Sequence, residues 1–317
     1  MPPTAALATA TVPGLFKLAV PKDITYAGEI LAAESGLFER AGLQIQLSEL
    51  QPGEDPVAFV VAGIQTFGVT SGINFLIARS KGARIVSFGA SFVETPIIFL
   101  TLNGSGIRGI RDVVGRKIVR EAESETAIIF DAALASSGLA RNQIQEVITP
   151  AKIDDFLNRK VDVIPAYIGK ETWILEQRST QAHAMHASDY GIHVPGLVYF
   201  TTENVLRANP VAVQRFLSSA MAGWTFAYSD YDKSIPMLLG AIGNSISASQ
   251  ARHQLIAQRD YIISPVRRLS EFDDIQWKQL KVVLTNMKLI NPLMDLTPAI
   301  DYSFLREAHR KSVTFGN

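Results

Sequence analysis

Two patterns of apolar and polar positions alternate along this chain: short apolar blocks, and longer stretches with apolar residues three and four apart. Leu15–Val20 reads as a buried strand ending at Pro21. Tyr26–Ala41 has helical spacing through Ile30, Leu31, Ala33, Leu37 and Phe38, closing at Gly42. Leu43–Leu50 alternates like a half-buried strand, Pro56–Gly63 predicts a short helix and Phe67–Thr70 a strand. Gly72–Ser80 predicts a helix and Arg84–Phe92 a strand. Strands alternating with helices imply βαβ units and a largely parallel sheet.

Pro96–Leu102 is a further apolar block, punctuated by NGSGIRG at 103–109. The alternation then restarts with strands at Lys117–Val119, Gln143–Thr149 and Val161–Ala166 and helices at Thr126–Ser136 and Ala151–Leu157. His183–Ala187 and Leu197–Thr201 complete the strands. From Asn204 onward helical spacing dominates, at Pro210–Tyr228, Lys233–Leu239, Ser247–Arg259 and Asp273–Met287. The implied organisation is a flexible tail over 1–14, one lobe from 15–102 plus 202–317, and a second lobe over 103–201. Two crossovers between lobes make a hinge, and a cleft between lobes is where small ligands settle.

Composition narrows the functional classes. The 30 basic and 30 acidic residues cancel, with no basic stripe, which argues against nucleic acid and anionic membrane as partners. The chain has no cysteine, so disulfides, thiolate nucleophiles and cysteine metal sites are excluded together. The first residues, MPPTAALATATVPG, lack the charged and apolar regions of an intact export signal. The five histidines form no HExxH pattern, and no metal site is expected. GSGIRG at 104–109 matches G-x-G-x-x-G but is followed by only a short segment ending at Gly115, so it reads as a hinge turn.

Candidate ligand contacts lie where strands end, since open α/β sheets bind there. Tyr26 and Gly28 open the first helix, whose amides can donate to a ligand. Ser71, in TSG after the third strand, can cap the next helix and face the cleft at once. Glu94 lies between two apolar strands and needs a donor from protein or ligand. Glu123, within EAESE at 121–125, puts negative charge at a helix start, where it complements the dipole and repels anions. Tyr167 ends a strand and Glu171 follows it: a ring to stack, and a carboxylate that selects an amino group or protonated ring nitrogen. Tyr190 and Tyr199 flank the return crossover. Trp173, Trp224 and Tyr228 are expected in the core.

The order YAGEILAAESGLFERAGLQIQL, VAGIQTFGVTSGINFLIARSKGARIVSFGA, SGIRGIRDVVGRKI, VDVIPAYIGKETWILEQ and DYGIHVPGLVYFTTENVLRANP resembles a known family. It is similar to the type II periplasmic solute-binding proteins of ABC importers, in the branch that binds thiamine-pyrimidine precursors and alkanesulfonates. The resemblance runs from about Leu15 to Leu305. It implies an α/β periplasmic-binding-protein type II fold, with two mostly parallel sheets flanked by helices and a ligand cleft between lobes. It also implies that Tyr167 and Glu171 stack on, and hydrogen-bond to, an aminopyrimidine-like ring. A pyrimidine synthase of yeast type shares the fold, but such relatives carry a cysteine cluster and a cofactor lysine. Sulfinate-cleaving relatives carry a cysteine where this chain has Tyr26 and Ala27.

These readings together predict a non-enzymatic binder that closes on a small neutral or amine-bearing heteroaromatic. A periplasmic, monomeric importer component with an ABC permease as partner and no cofactor is expected. Alkanesulfonate, taurine or nitrate binding, riboflavin binding, and a ligand-sensing module are the alternatives.

Overall fold

The computed structural model describes residues 12–121, 124–263 and 267–313. Ten strands and thirteen α-helices are present among them. The chain begins with β1 (Leu15–Val20), α1 (Ala27–Glu34), α2 (Leu37–Arg40), β2 (Gln44–Glu49) and α3 (Pro56–Val61). It continues through β3 (Gly68–Ser71), α4 (Gly72–Ser80), β4 (Ile85–Ala90), β5 (Ile97–Leu102), β6 (Lys117–Arg120) and α5 (Glu125–Ser136). Then come β7 (Gln145–Ile148), α6 (Ile153–Leu157), β8 (Val163–Tyr167), α7 (Lys170–Gln177), β9 (Ala182–His186) and β10 (Leu197–Thr202). The helical remainder is α8 (Glu203–Ala208), α9 (Pro210–Ser229), α10 (Tyr231–Ala241), α11 (Ala248–Ile262), α12 (Asp274–Asn286) and α13 (Ser303–Val313).

The helix expected over Tyr26–Ala41 is divided. Gly36 adopts φ 71°, a left-handed conformation that glycine takes without strain, and this separates α1 from α2. The apolar spacing survives the break because both pieces face the same core.

The strands form three sheets, which we propose to group into two lobes. In the first, β1 pairs β2 in parallel, and β10 lies antiparallel between β3 and β4. In the second, the order is β7-β6-β8-β5-β9, with β5 antiparallel to both neighbours. The parallel βαβ alternation is therefore interrupted at the strands that arrive from the other lobe. Sheet membership changes between β4 and β5 and again between β9 and β10. We accordingly propose lobe boundaries near Ser91–Pro96 and Ile192–Gly196, upstream of residues 102 and 202.

The two crossing segments touch. Gly196 N–H donates to the Phe92 carbonyl at 3.0 Å, and Phe92 N–H donates to the Leu197 carbonyl at 3.1 Å. A Cβ at Gly196 would stand 2.7 Å from Phe92 Cβ, so this close passage requires glycine.

The first lobe's core is aromatic: Phe67 stacks on Phe216 with centroids 4.3 Å apart, and Phe38 and Phe88 pack on the same ring. In β5 alternate residues serve different layers. Ile97 and Phe99 join the main core, while Ile98, Leu100 and Leu102 join a smaller one with Phe156 and Ile164. Burial on both faces is why this strand reads as an unbroken apolar run.

Candidate functional site

The candidate residues stand at four junctions between a strand and the helix that follows it, after β1, β3, β6 and β8. After β1, Asp23 caps the turn that leads into α1, accepting the Thr25 N–H at 2.9 Å, and Tyr26 stands at the helix start. After β3, the Ser71 hydroxyl accepts the Asn74 N–H at 3.1 Å and caps α4. In the second lobe, Ser124 caps α5 by accepting the Ala127 N–H at 3.2 Å, which presents Glu125 as the first helical residue. After β8, the Tyr167 N–H donates to Glu171 Oε2 at 2.8 Å, so α7 begins with its carboxylate folded back over the strand end.

Electrostatics show which of these side chains share one space. The Tyr26 phenol is pushed up by burial and then by the fields of Glu29, Asp23 and Glu125. The Tyr167 phenol is pushed up by burial and then by Glu125, Tyr26, Glu171 and Asp23. Tyr167, 38% exposed, thus lies within the fields of Tyr26, Glu125 and Glu171, and Tyr26 within that of Glu125. Burial pushes the Glu125 carboxyl up to about 7, against a hydrogen bond from Ser71 of the opposite lobe. Burial also raises the Glu171 carboxyl, tempered by the Tyr167 N–H. Lys170 Nζ lies 3.8 Å from Asp23 Oδ2, a long ion pair across the lobes.

A network of fully buried polar groups lies behind α1. Ser91 Oγ donates to Glu29 Oε1 at 2.8 Å, and Trp224 Nε1 donates to Ser91 Oγ at 3.1 Å. Glu29 and Tyr199 are both fully buried, and burial raises both their titrations. A neutral Glu29 avoids the penalty of an uncompensated charge in this core.

The family model described as NMT1/THI5 like matches residues 23–234. This chain belongs to the NMT1/THI5-like family. A 4-amino-5-hydroxymethyl-2-methylpyrimidine phosphate synthase of Legionella pneumophila is 27% identical over 140 residues, 44% of this chain and 43% of the relative. The Schizosaccharomyces pombe protein of the same name is 31% identical over 88 residues, 28% of this chain and 25% of the relative. The chain thus matches less than half the length of either curated relative. Among solved structures, the periplasmic aliphatic sulphonate binding protein SsuA of Escherichia coli superposes with TM-score 0.75 at 20% identity, covering 92% of each chain. The alkanesulfonate-binding SsuA of Xanthomonas axonopodis pv. citri, bound to MOPS, gives 0.69 at 18% identity, covering 93% of this chain and 100% of that one. At such identities these neighbours establish the periplasmic-binding-protein fold.

One expectation is corrected by these relatives. The absence of cysteine pointed to a non-enzymatic binder, yet both curated relatives carry the name of a synthase. The lack of one nucleophile class was too narrow a ground, because synthesis can proceed through other groups.

The family architecture also re-sorts the candidate residues. Tyr26 and Glu171 both act on the Tyr167 phenol, while Ser71 interacts with Glu125. Gly28 does not: it lies under the Trp224 indole, where α1 and α9 approach, and its place is packing. Glu94 is held by Arg267 Nη1 at 3.1 Å, Gln276 Nε2 at 2.9 Å and His193 at 3.4 Å, so protein donors answer its need. The Tyr190 hydroxyl accepts the Ile110 N–H at 3.1 Å and fastens a loop of the second lobe. Tyr199 is sealed inside the first-lobe sheet beside Glu29. Glu123 falls outside the described residues. Trp224 is core as expected, whereas Trp173 is only half-buried and rests on the His253 ring, 5.3 Å between centroids.

Glu125, Asp23 and Glu29 were missed. The local signal for Glu125 was present, since Ser-Glu-Thr before an apolar helix marks an N-cap followed by a first-turn acid. Glu123, named in its place, lies outside the described residues. Glu29 had a weaker signal, an acid inside the otherwise apolar run AGEILAA.

Proposed function

We propose that this chain binds a small amine-bearing heteroaromatic of the aminopyrimidine class between its lobes. What supports the reading is that the Tyr167 phenol lies within the fields of Tyr26, Glu125 and Glu171, at the ends of strands from both lobes. Rings supply stacking surface for a flat heterocycle, and carboxylates accept hydrogen bonds from amino groups. The same carboxylates oppose a sulfonate, although sulfonate binders share the fold. Contacts from both lobes favour the closed form, so binding and hinge closure are one event.

In the importer reading the closed, loaded protein is what an ABC permease would engage, in an extracytoplasmic compartment. The names of the curated relatives favour a second reading, in which this cleft belongs to an enzyme that forms a pyrimidine phosphate. Both readings share the ligand class, and one experiment separates them. Thermal shift and calorimetry with 4-amino-5-hydroxymethyl-2-methylpyrimidine, taurine and nitrate test the class, while mass spectrometry of a separate incubation of the pyrimidine with an added phosphoryl donor tests for a phosphorylated pyrimidine product. A ligand at ~100 times its Kd stabilises by about 2.7 kcal/mol, a readily visible shift. Preference for taurine or nitrate would overturn the ligand class. Glu171→Gln, which keeps an oxygen for the Tyr167 N–H, should weaken the pyrimidine by about 1–3 kcal/mol.

A further inference from the structure

Helix α11 touches the second lobe at two places, and the two attachments differ in kind. At its C-terminal end the Tyr261 carbonyl accepts the Val93 N–H at 2.8 Å and the Glu94 N–H at 3.4 Å, both from the first crossing segment. The Tyr261 hydroxyl is hydrogen-bonded at 2.8 Å to Nδ1 of His186, the last residue of β9, and the two rings stack with centroids 6.3 Å apart. One residue thus holds both the segment that enters the second lobe and the strand that leads out of it.

Two turns earlier, about 12 Å along the helix, the attachment is to α7. His253 Nδ1 lies 2.9 Å from Glu176 Oε2 and its Nε2 lies 3.2 Å from Thr172 Oγ1, with the Trp173 ring 5.3 Å away. Beside it Gly169 passes so close that a Cβ there would stand 3.0 Å from Gln254 Cα and 3.2 Å from Ala257 Cβ. Among the described residues no backbone hydrogen bond joins α7 to α11. The helix itself is anchored elsewhere: Ala251, Leu255 and Ile262 are buried in the main core, and Gln258 Nε2 donates to the Ile24 carbonyl at 3.1 Å.

We propose that α11 is the strut on which the second lobe opens, with Tyr261 as the pivot and the His253 contacts to Thr172 and Glu176 as the latch. The inference goes beyond the ligand reading and holds for any solute; it rests on the grouping into two lobes. A body turning about a point moves least where it is attached and most far from it. Tyr261 is bonded through its backbone to the crossing segment itself, so its bonds persist as the lobes part. His253 lies two turns out, and there the side-chain bonds and the close passage of Gly169 must break. Only contacts that differ between two states bias their balance. The latch therefore favours the closed form, whereas the pivot guides the motion and favours neither form.

The chain's lack of cysteine gives a clean test. Ala257→Cys places a single thiol opposite Gly169, and its rate of labelling by an aromatic disulfide reagent, with no solute added, follows the open fraction. In this background Glu176→Ala and His253→Ala should each raise the rate about 2–10-fold, the scale of a hydrogen bond lost from one state only. Tyr261→Phe, which removes only the bond to His186, should leave the rate unchanged. Trp173 provides a second reading without any introduced thiol. Trp224 and Trp277 are fully buried, so acrylamide reports chiefly on Trp173, and Glu176→Ala should increase its quenching. Labelling and quenching that stay at the wild-type level in the latch variants would refute the latch. A rise in Tyr261→Phe equal to theirs would mean that labelling follows general unfolding, and would overturn the pivot. Neither result touches the aminopyrimidine class, which stands or falls by calorimetry.

Discussion

Replacing Gly28 by alanine separates packing from ligand contact at the first helix. A Cβ at Gly28 would stand 2.5 Å from Trp224 Cε2, far inside the ~3.5–4.0 Å of carbon contact. The indole has little freedom to retreat. Its nitrogen is bonded to Ser91 Oγ at 3.1 Å, Tyr228 stacks on it at 6.0 Å, and Phe92 meets it edge-on at 5.9 Å. Helix propensity favours alanine over glycine by about 1 kcal/mol, whereas overpacking a tight core costs about 1–3 kcal/mol or more. The balance is a loss of about 2 kcal/mol, and at ~2–4 °C per kcal/mol the Tm should fall by about 4–8 °C.

Gly223→Ala is the companion variant. Its Cβ would lie 2.9 Å from the Gly28 carbonyl carbon and 3.0 Å from the Ala32 nitrogen. Backbone cannot rotate aside as a side chain can, so the loss should exceed that of Gly28→Ala, at roughly 3 kcal/mol or above. Differential scanning fluorimetry and urea unfolding measure both. An unchanged Tm for Gly28→Ala combined with weakened pyrimidine binding would refute the packing argument and return Gly28 to the ligand site.

Glu94→Ala strips Arg267 and Gln276 of their shared acceptor. It should destabilise by about 2–3 kcal/mol, less than a fully buried pair because the carboxylate is partly exposed, as urea unfolding would show. Glu203 is paired with Arg79 at 2.6 Å and Arg84 at 2.8 Å, which hold its carboxyl below the usual range. A depressed folded value means its contribution is present above the unfolded titration and disappears as pH falls. Glu203→Gln should therefore flatten the acid limb of stability against pH, and an unaltered limb in urea titrations from pH 3 to 7 would count against the pairing. His253 of α11 bonds Thr172 Oγ1 at 3.2 Å and Glu176 Oε2 at 2.9 Å on α7, fastening one lobe to the other. His253→Ala should lower affinity for any cleft ligand by roughly 2–10-fold through easier opening, with the change in koff seen by stopped flow.

The chain order of strands and helices was legible from periodicity because each element buries one face or both, and burial is written in the local spacing of apolar residues. Leu15–Val20 and the apolar run around β5 were read at nearly their observed bounds for this reason. Strand ends were legible too, and Tyr26, Ser71, Tyr167 and Glu171 stand at or just after them. Tertiary structure decided the rest. Sheet membership of β5 and β10 depends on pairing across the hinge, which leaves no trace in either strand's own composition. Gly28 and Tyr199 have the same sequence context as ligand contacts, and only the arrival of α9 and its Trp224 turns them inward. Glu94 looked unpaired until α12 and Arg267 reached it from far along the chain. The encounter of Ser71 with Glu125 spans two lobes, so no window of sequence contains both. Local spacing fixes what each segment buries, but which charges and rings share a cleft is set by the long-range contacts that fold those segments together.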